Sequence, residues 1–242
     1  MTPAIEQLCR SLGRRDQLCP EELQLLAGIR QHREVFAKGA EIIAQHSRPP
    51  SSCLLVSGLT ARAVTLADGR RQLTALHIPG DFVDLHALLL RTMDHSVMAV
   101  TDCTVVFVPH TDLVAITEKS PHLTRLLWLS TTIDAAIQRE MIASMGRRRP
   151  LQRLAHTFCE LYLRLEVVGH AADGRFSFRV TQSALADVLG LSLVHTNRTV
   201  QDLRATGLVS WNQVDVVITS FEGLARLGGF DPTYLNLRME PR

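Results

Sequence analysis

Residues Val180 to Val209, reading VTQSALADVLGLSLVHTNRTVQDLRATGLV, restrict the fold more than any other stretch of the chain. Ala184, Leu185, Val188 and Leu189 recur at helical spacing and make one apolar stripe. Gly190 follows at once, where a left-handed residue ends a helix. Ser192 then offers an oxygen to the open N–H groups of a second helix. Leu193, Thr196, Val200 and Leu203 recur along that helix until Gly207 stops it. Two short helices joined by a tight glycine turn form a helix-turn-helix, the unit that lays its second helix in the DNA major groove. Ser192, His195, Asn197, Arg198, Gln201 and Arg204 give the second helix a polar surface suited to that task. A generic helical hairpin uses the same turn, so the rest of the chain has to decide between the two.

The chain has 242 residues, enough for one large or two modest domains. Its charge is uneven: from Arg147 onward 12 arginines face 9 acids, an excess of +3, within a formal total of +2. That permits nucleic-acid binding without requiring it. Lys38 and Lys119 are the only lysines, and an arginine-rich surface suits bidentate phosphate and guanine contacts. A GC-rich genome produces the same bias. No apolar run reaches the length of a membrane span and the N-terminus lacks a secretory core, so a soluble, cytoplasmic protein without membrane contact is expected. Cys9, Cys19, Cys53, Cys103 and Cys159 are dispersed, with no Cys-x-x-Cys pair, and read as reduced packing residues.

Taken in order, residues 1–30 carry two helical patterns, the second opened by Pro20-Glu21-Glu22. From Arg33 the period shortens to that of strands: REVFAKGAEII, CLLVSGLTARAVTL, RQLTALHI and HSVMAVTDCTVVFV, with a hairpin turn at Ala67-Asp68-Gly69-Arg70. Such spacing argues for a compact antiparallel roll. Ser120-Pro121 opens a long helix, along which Leu126, Leu129, Ile133, Ile137 and Met141 form a seam. On a helix between two modules that seam reads as a dimer contact, or else as packing on the helix's own roll. Arg147-Arg148-Arg149-Pro150 reads as a hinge. A further helix spans 151–168, Phe176 to Val180 is a short strand, and LVSW-NQ-VDVVITS is a two-stranded wing around Asn212-Gln213. A last short helix covers 221–227. The expected class is α+β, with a roll over 1–119, a long dimerisation helix over 120–146 and a winged helix-turn-helix over 147–242.

This order resembles the Crp/Fnr superfamily of bacterial transcription regulators over essentially the whole chain. The residues that carry the resemblance are Val180-Thr181-Gln182-Ser183, Leu185 to Ser192, Asn197-Arg198 and Leu203 to Val209. Pro79-Gly80-Asp81-Phe82 is similar to the turn ahead of the family's cyclic-nucleotide cassette. The resemblance implies a cyclic-nucleotide-binding-like roll, a homodimer and a palindromic double-stranded DNA site, with RNA polymerase as a partner if the protein activates. Two departures matter. Leu85 stands where cyclic-nucleotide binders place a Glu for the ribose, and His95-Ser96 where they place an Arg-Ser pair for the phosphate. An apolar side chain cannot accept from a ribose hydroxyl, and His is a weaker phosphate partner than Arg. An effector other than cyclic AMP is therefore implied, with Asp84, Leu85, His86, His95 and Ser96 as the candidate pocket. Asp94, His77 and His110 lie nearby in sequence. The cysteines do not form the cluster of oxygen-sensing members, so no iron–sulfur centre is implied. No His-x-His or His-x-x-x-His spacing occurs, so no metal site and no cofactor are expected.

By the same resemblance, Leu193, Val194, Asn197 and Arg198 face base edges, Arg198 pairing with guanine O6 and N7. Thr181, Gln182, Ser183, Ser192 and His195 meet phosphates. Many relatives carry a Glu at the place of Val194, so a thymine methyl replaces a cytosine amine as the natural partner. No catalytic set is visible: there is no Ser-His-Asp or P-loop pattern, and no pair of His with a Glu within a few residues. The alternatives are a protein-interaction module on the same fold and a β-barrel metalloenzyme.

Overall fold

A computed structural model describes residues 1–241. The described residues form two compact units: residues 1–64, 76–135 and 236–241, and residues 65–75 with 136–235. The boundary falls inside the long helix, and the tip of one hairpin belongs to the second unit.

The first unit opens with helices α1 (Pro3–Gly13) and α2 (Pro20–Ala27), each with Pro in its first turn. Strands β1 (His32–Phe36), β2 (Glu41–Ile43), β3 (Ser51–Ser57), β4 (Thr60–Thr65) and β5 (Arg71–His77) follow. Then come α3 (Ala87–Leu90), β6 (Ser96–Ala99), β7 (Cys103–Pro109), α4 (His110–Lys119) and α5 (Pro121–Arg147). The strands form two antiparallel sheets in the orders β1-β7-β3 and β2-β6-β4-β5. The sequence run CLLVSGLTARAVTL is thus two strands, broken at Gly58, where φ is +87° and a Cβ would lie 2.3 Å from the Asp102 carbonyl. Helix α4 has no clear signature in the sequence, where its residues read as the end of the roll.

The continuous apolar run in β3 has a direct cause. Cys53 and Leu55 point into the roll with Val97, Met93 and Val105. Leu54 points the other way, into a second core with Ile5, Leu8, Leu12, Leu113, Leu123 and Leu126. A strand covered on both faces loses its alternation. Glu22 ties α2 to α5: it accepts from Ser120 Oγ at 2.9 Å and lies 2.8 Å from His122 Nδ1. Burial alone would raise its pKa, but the Cys19 N–H, His122 and Ser120 bring it below the usual value. Cys53, Cys103 and Cys159 are buried as packing residues, whereas Cys19 is exposed at the start of α2.

The second unit contains α6 (Pro150–Val167), β8 (Ala171–Ala172), β9 (Arg175–Ser177), α7 (Gln182–Leu189), α8 (Leu193–Ala205), β10 (Val209–Trp211), β11 (Asp215–Ile218), α9 (Phe221–Gly228) and a 3-10 turn (Pro232–Leu235). The strands form one sheet in the order β10-β11-β9-β8. Phe158 on α6 is fully buried, its ring 6.0, 5.6 and 5.8 Å from Phe176, Phe178 and Trp211. Gly228 lets α9 approach α6: a Cβ there would stand 2.6 Å from the backbone nitrogen of His156.

His156 is buried and bonded to the Tyr234 hydroxyl at 3.0 Å, and that hydroxyl donates to Glu160 at 2.8 Å. Burial first, then the Arg148 charge, push the imidazole down to about 4, against an opposing pull from Glu140. In the unfolded chain a histidine titrates near ~6.5. Between those values the unfolded chain holds a proton that the folded one does not, so stability falls as pH drops through this window. The slope approaches about 1.4 kcal/mol per pH unit. Urea unfolding of His156→Phe between neutral and acid pH should show this slope removed. An unchanged slope would assign the acid sensitivity elsewhere.

Candidate functional site

The helix-turn-helix is fixed by local capping. Thr181 caps α7, its hydroxyl accepting from the Ala184 N–H at 3.3 Å. Gly190 ends α7 in the left-handed region at φ 62°, ψ 41°. Ser192 caps α8 through the His195 N–H at 3.3 Å. Leu185, Val188 and Leu189 of α7, and Thr196, Thr199, Val200 and Leu203 of α8, form the buried side. Arg153, which the sequence offered no reason to single out, donates to the carbonyls of Leu189 and Met145. It thereby satisfies the open C-terminal end of α7. Arg71 reaches Asp187 at 2.7 Å, and Gln72 donates to the Asp187 carbonyl at 2.6 Å.

The outward side of α8 carries Ser192, Leu193, Val194, His195, Arg198 and Gln201, all of them exposed. Val194 is 80 % exposed and Leu193 50 %, which is unusual for apolar side chains at the start of a capped helix. Thr181 and Ser183 are exposed and Gln182 half-buried. Asn197 departs from the expectation of a free base-reading side chain. It is half-buried, and its Oδ1 is shielded with no hydrogen-bond partner among the described residues. Its position falls on the flank of the helix, one turn from Leu193 towards the packed side. Arg204, counted among the polar residues of this helix, instead donates to the Trp211 carbonyl. Arg148 of the supposed hinge is also engaged: it bonds the Gly228 and Gly229 carbonyls at 3.0 Å each and Glu140 at 2.6 Å. Both guanidiniums finish backbone ends within the unit and are withdrawn from phosphate.

In the roll, the five candidate pocket residues separate. Leu85 packs into the helical core. Asp84 is fully buried and accepts from the Cys53 N–H at 2.6 Å. Burial pushes its carboxyl up to about 7, against that hydrogen bond and the Arg62 charge. Ser96 bonds the Ala63 carbonyl at 3.4 Å. Only His86 and His95 come together, with ring centroids 5.2 Å apart. His95 Nδ1 lies 2.7 Å from Asp94. Burial first, then Arg62, push His86 down to about 4 and lower His95, so both rings are neutral at pH 7. Arg62, absent from the candidates read in the sequence, is buried, pairs with Asp134 at 2.5 Å and donates to the Val83 carbonyl at 2.8 Å. His77 faces Asp81 at 3.9 Å and His110 bonds Ser52 at 3.1 Å, so neither joins the pair.

Two family models cover most of the chain: a cyclic nucleotide-binding domain over residues 33–120 and a Crp-like helix-turn-helix domain over residues 152–227. The chain is 26 % identical over 215 residues to the transcriptional activator protein FnrL of Cereibacter sphaeroides, covering 87 % of this chain and 86 % of the relative. It is 26 % identical to the nitrogen fixation regulation protein FixK of Azorhizobium caulinodans, over 73 % and 70 % of the two chains.

The chain belongs to the Crp/Fnr superfamily. Its fold matches the structure of FixK2 from Bradyrhizobium japonicum with a TM-score of 0.73 at 23 % identity, over 82 % of this chain and 98 % of that one. As a Crp/Fnr-type transcription regulator it is not an enzyme, and it meets DNA through its helix-turn-helix.

In this Crp/Fnr regulator the seam along α5 is largely covered within the single chain. Of the seam assigned to dimer contact, Leu126 lies in the core of the first unit, Ile133 and Ile137 are buried, and Leu129 packs partly against that core. The apolar period serves the protomer's own packing. The large apolar side chains that α5 leaves exposed are Trp128, at 71 %, and Ile142, at 72 %. Among the described residues, no helix is long and apolar enough to cross a membrane.

Proposed function

We propose that this regulator acts in the cytoplasm as a homodimer on a palindromic DNA site, with residues 192–205 of each copy in the major groove. The observation that carries the reading is the open start of α8, where Leu193, Val194 and Arg198 stand on the outward side of a helix capped by Ser192. Arg198 reads guanine and Val194 contacts a thymine methyl. Leu193 lies against the same base edges, while Asn197 serves at the flank. Thr181, Gln182, Ser183, Ser192 and His195 hold phosphates and set the register. Residues 1–119 serve as the sensor, 120–146 as the dimerisation helix and 147–242 as the DNA-binding part. The roll answers to an effector other than cyclic AMP, since Leu85 and His95 replace the side chains that hold one. If the protein activates, RNA polymerase is its further partner.

The dimer face on α5 is best placed at Trp128, Ala135 and Ile142, one heptad apart, a spacing that keeps side chains on one seam between two helices. Two copies joined there would set their recognition helices about 34 Å apart, one turn of DNA. The double variant Trp128→Arg/Ile142→Asp should sediment as a monomer while keeping its helical circular dichroism. It should also lose cooperative binding to a two-half-site duplex. A wild type that sediments as a monomer, or a variant that stays dimeric, would refute this assignment.

A further inference from the structure

Two buried imidazole nitrogens in the roll are left without partners. Nε2 of His86 and Nε2 of His95 are both shielded from solvent, with no hydrogen-bond partner among the described residues. Leaving one such nitrogen unmet costs stability, and two side by side call for a shared occupant. His95 is only 8 % exposed, and its tautomer follows from its neighbour. Asp94 lies 2.7 Å from His95 Nδ1 and, as a carboxylate, can only accept. The proton therefore sits on Nδ1, and Nε2 presents a lone pair. A lone pair attracts a cation or a hydrogen-bond donor and repels an anion. A carboxylate behind an imidazole is also the arrangement that orients metal-bound histidines.

We infer that His86 Nε2 and His95 Nε2, with Asp94 positioning His95 from behind, form a binding site for a late first-row divalent metal ion, zinc being the reference case. One ligand atom from each residue lies within 4.8 Å of the others. A pair of imidazole ligands favours zinc, cobalt or nickel over magnesium or calcium, which take oxygen ligands. The neighbouring Arg62 charge is offset by Asp134 at 2.5 Å. The Asp94 side chain is mostly exposed, which places the pair close to the surface. The sequence offers both histidines as pocket candidates but not their pairing, since one stands at the start of α3 and the other just ahead of β6.

The site rests on the roll alone, whereas its regulatory meaning rests on the effector reading proposed above. The test takes the full chain, stripped with chelator and free of DNA, and titrates it with Co²⁺ followed by competing Zn²⁺. One equivalent of cobalt should bind with visible ligand-field absorption and be displaced by zinc. His86→Ala and His95→Ala should each remove the absorption. Asp94→Asn, at an exposed position that leaves folding intact, should weaken binding about 10- to 100-fold. His32→Ala, at an exposed ring elsewhere, should change nothing. The site is overturned if the wild type takes up no metal, if Asp94→Asn and His95→Ala bind as the wild type does, or if Cys9→Ser/Cys19→Ser removes binding instead. Metal uptake that leaves DNA affinity unaltered would support the site and strike down the effector reading.

Discussion

Arg198→Ala should leave a protein that still binds duplex DNA but no longer ranks one sequence above another. The guanidinium stands on the outward face of α8, where its fork matches O6 and N7 of guanine. A bidentate contact of this kind discriminates by about 1–3 kcal/mol, and the proposed symmetric dimer would make it twice. The ratio of specific to non-specific affinity should therefore fall by roughly 30-fold to 20 000-fold. Salt-dependent binding to any duplex should persist, because the phosphate contacts proposed for Thr181, Gln182, Ser183 and Ser192 do not involve Arg198. Selection from random duplexes by the wild type and the variant in parallel measures both. Affinity falling equally for every sequence would move Arg198 to a phosphate role. A wild-type consensus that requires the cytosine read by a Glu in many relatives would contradict the partner assigned to Val194.

Phe158→Ala should be the most damaging single truncation in the second unit. The ring is fully buried and touches three other aromatic residues, one of which, Trp211, also donates its indole N–H to the Phe178 carbonyl at 3.2 Å. Removing such a side chain costs about 3–5 kcal/mol through lost burial and the cavity left behind. That is a large part of the ~5–15 kcal/mol that holds a typical domain together. The DNA-binding unit should unfold at much lower urea concentration, and specific DNA binding should disappear near physiological temperature. A cost under about 1 kcal/mol would mean that the neighbouring rings close over the gap.

The helix-turn-helix was legible because its determinants are local. Thr181, Gly190, Ser192 and Gly207 each act on backbone within a few residues, so their order in sequence is their order in space. The sensor pocket was legible only in part: His86 and His95 stand among its candidates, but which candidates meet is set by the tertiary fold. Arg62 meets Asp134 across 72 positions, and His86 meets His95 with α3 between them in the chain. Leu126, Ile133 and Ile137 show a different limit. An apolar stripe announces that a helix face is covered but does not say by what, and here the cover is the protomer itself. Arg148 and Arg204 show the same limit for charge, since an arginine that finishes a neighbouring backbone end is indistinguishable in sequence from one that awaits phosphate.

The chain's two tryptophans fall one to each unit, Trp128 bare on α5 and Trp211 sealed among phenylalanines. With Trp128 replaced by phenylalanine, all indole emission comes from the wing, and its wavelength reports the hydration of that one interior. The protein thus carries a built-in optical gauge for the half that reads DNA, with no attached dye.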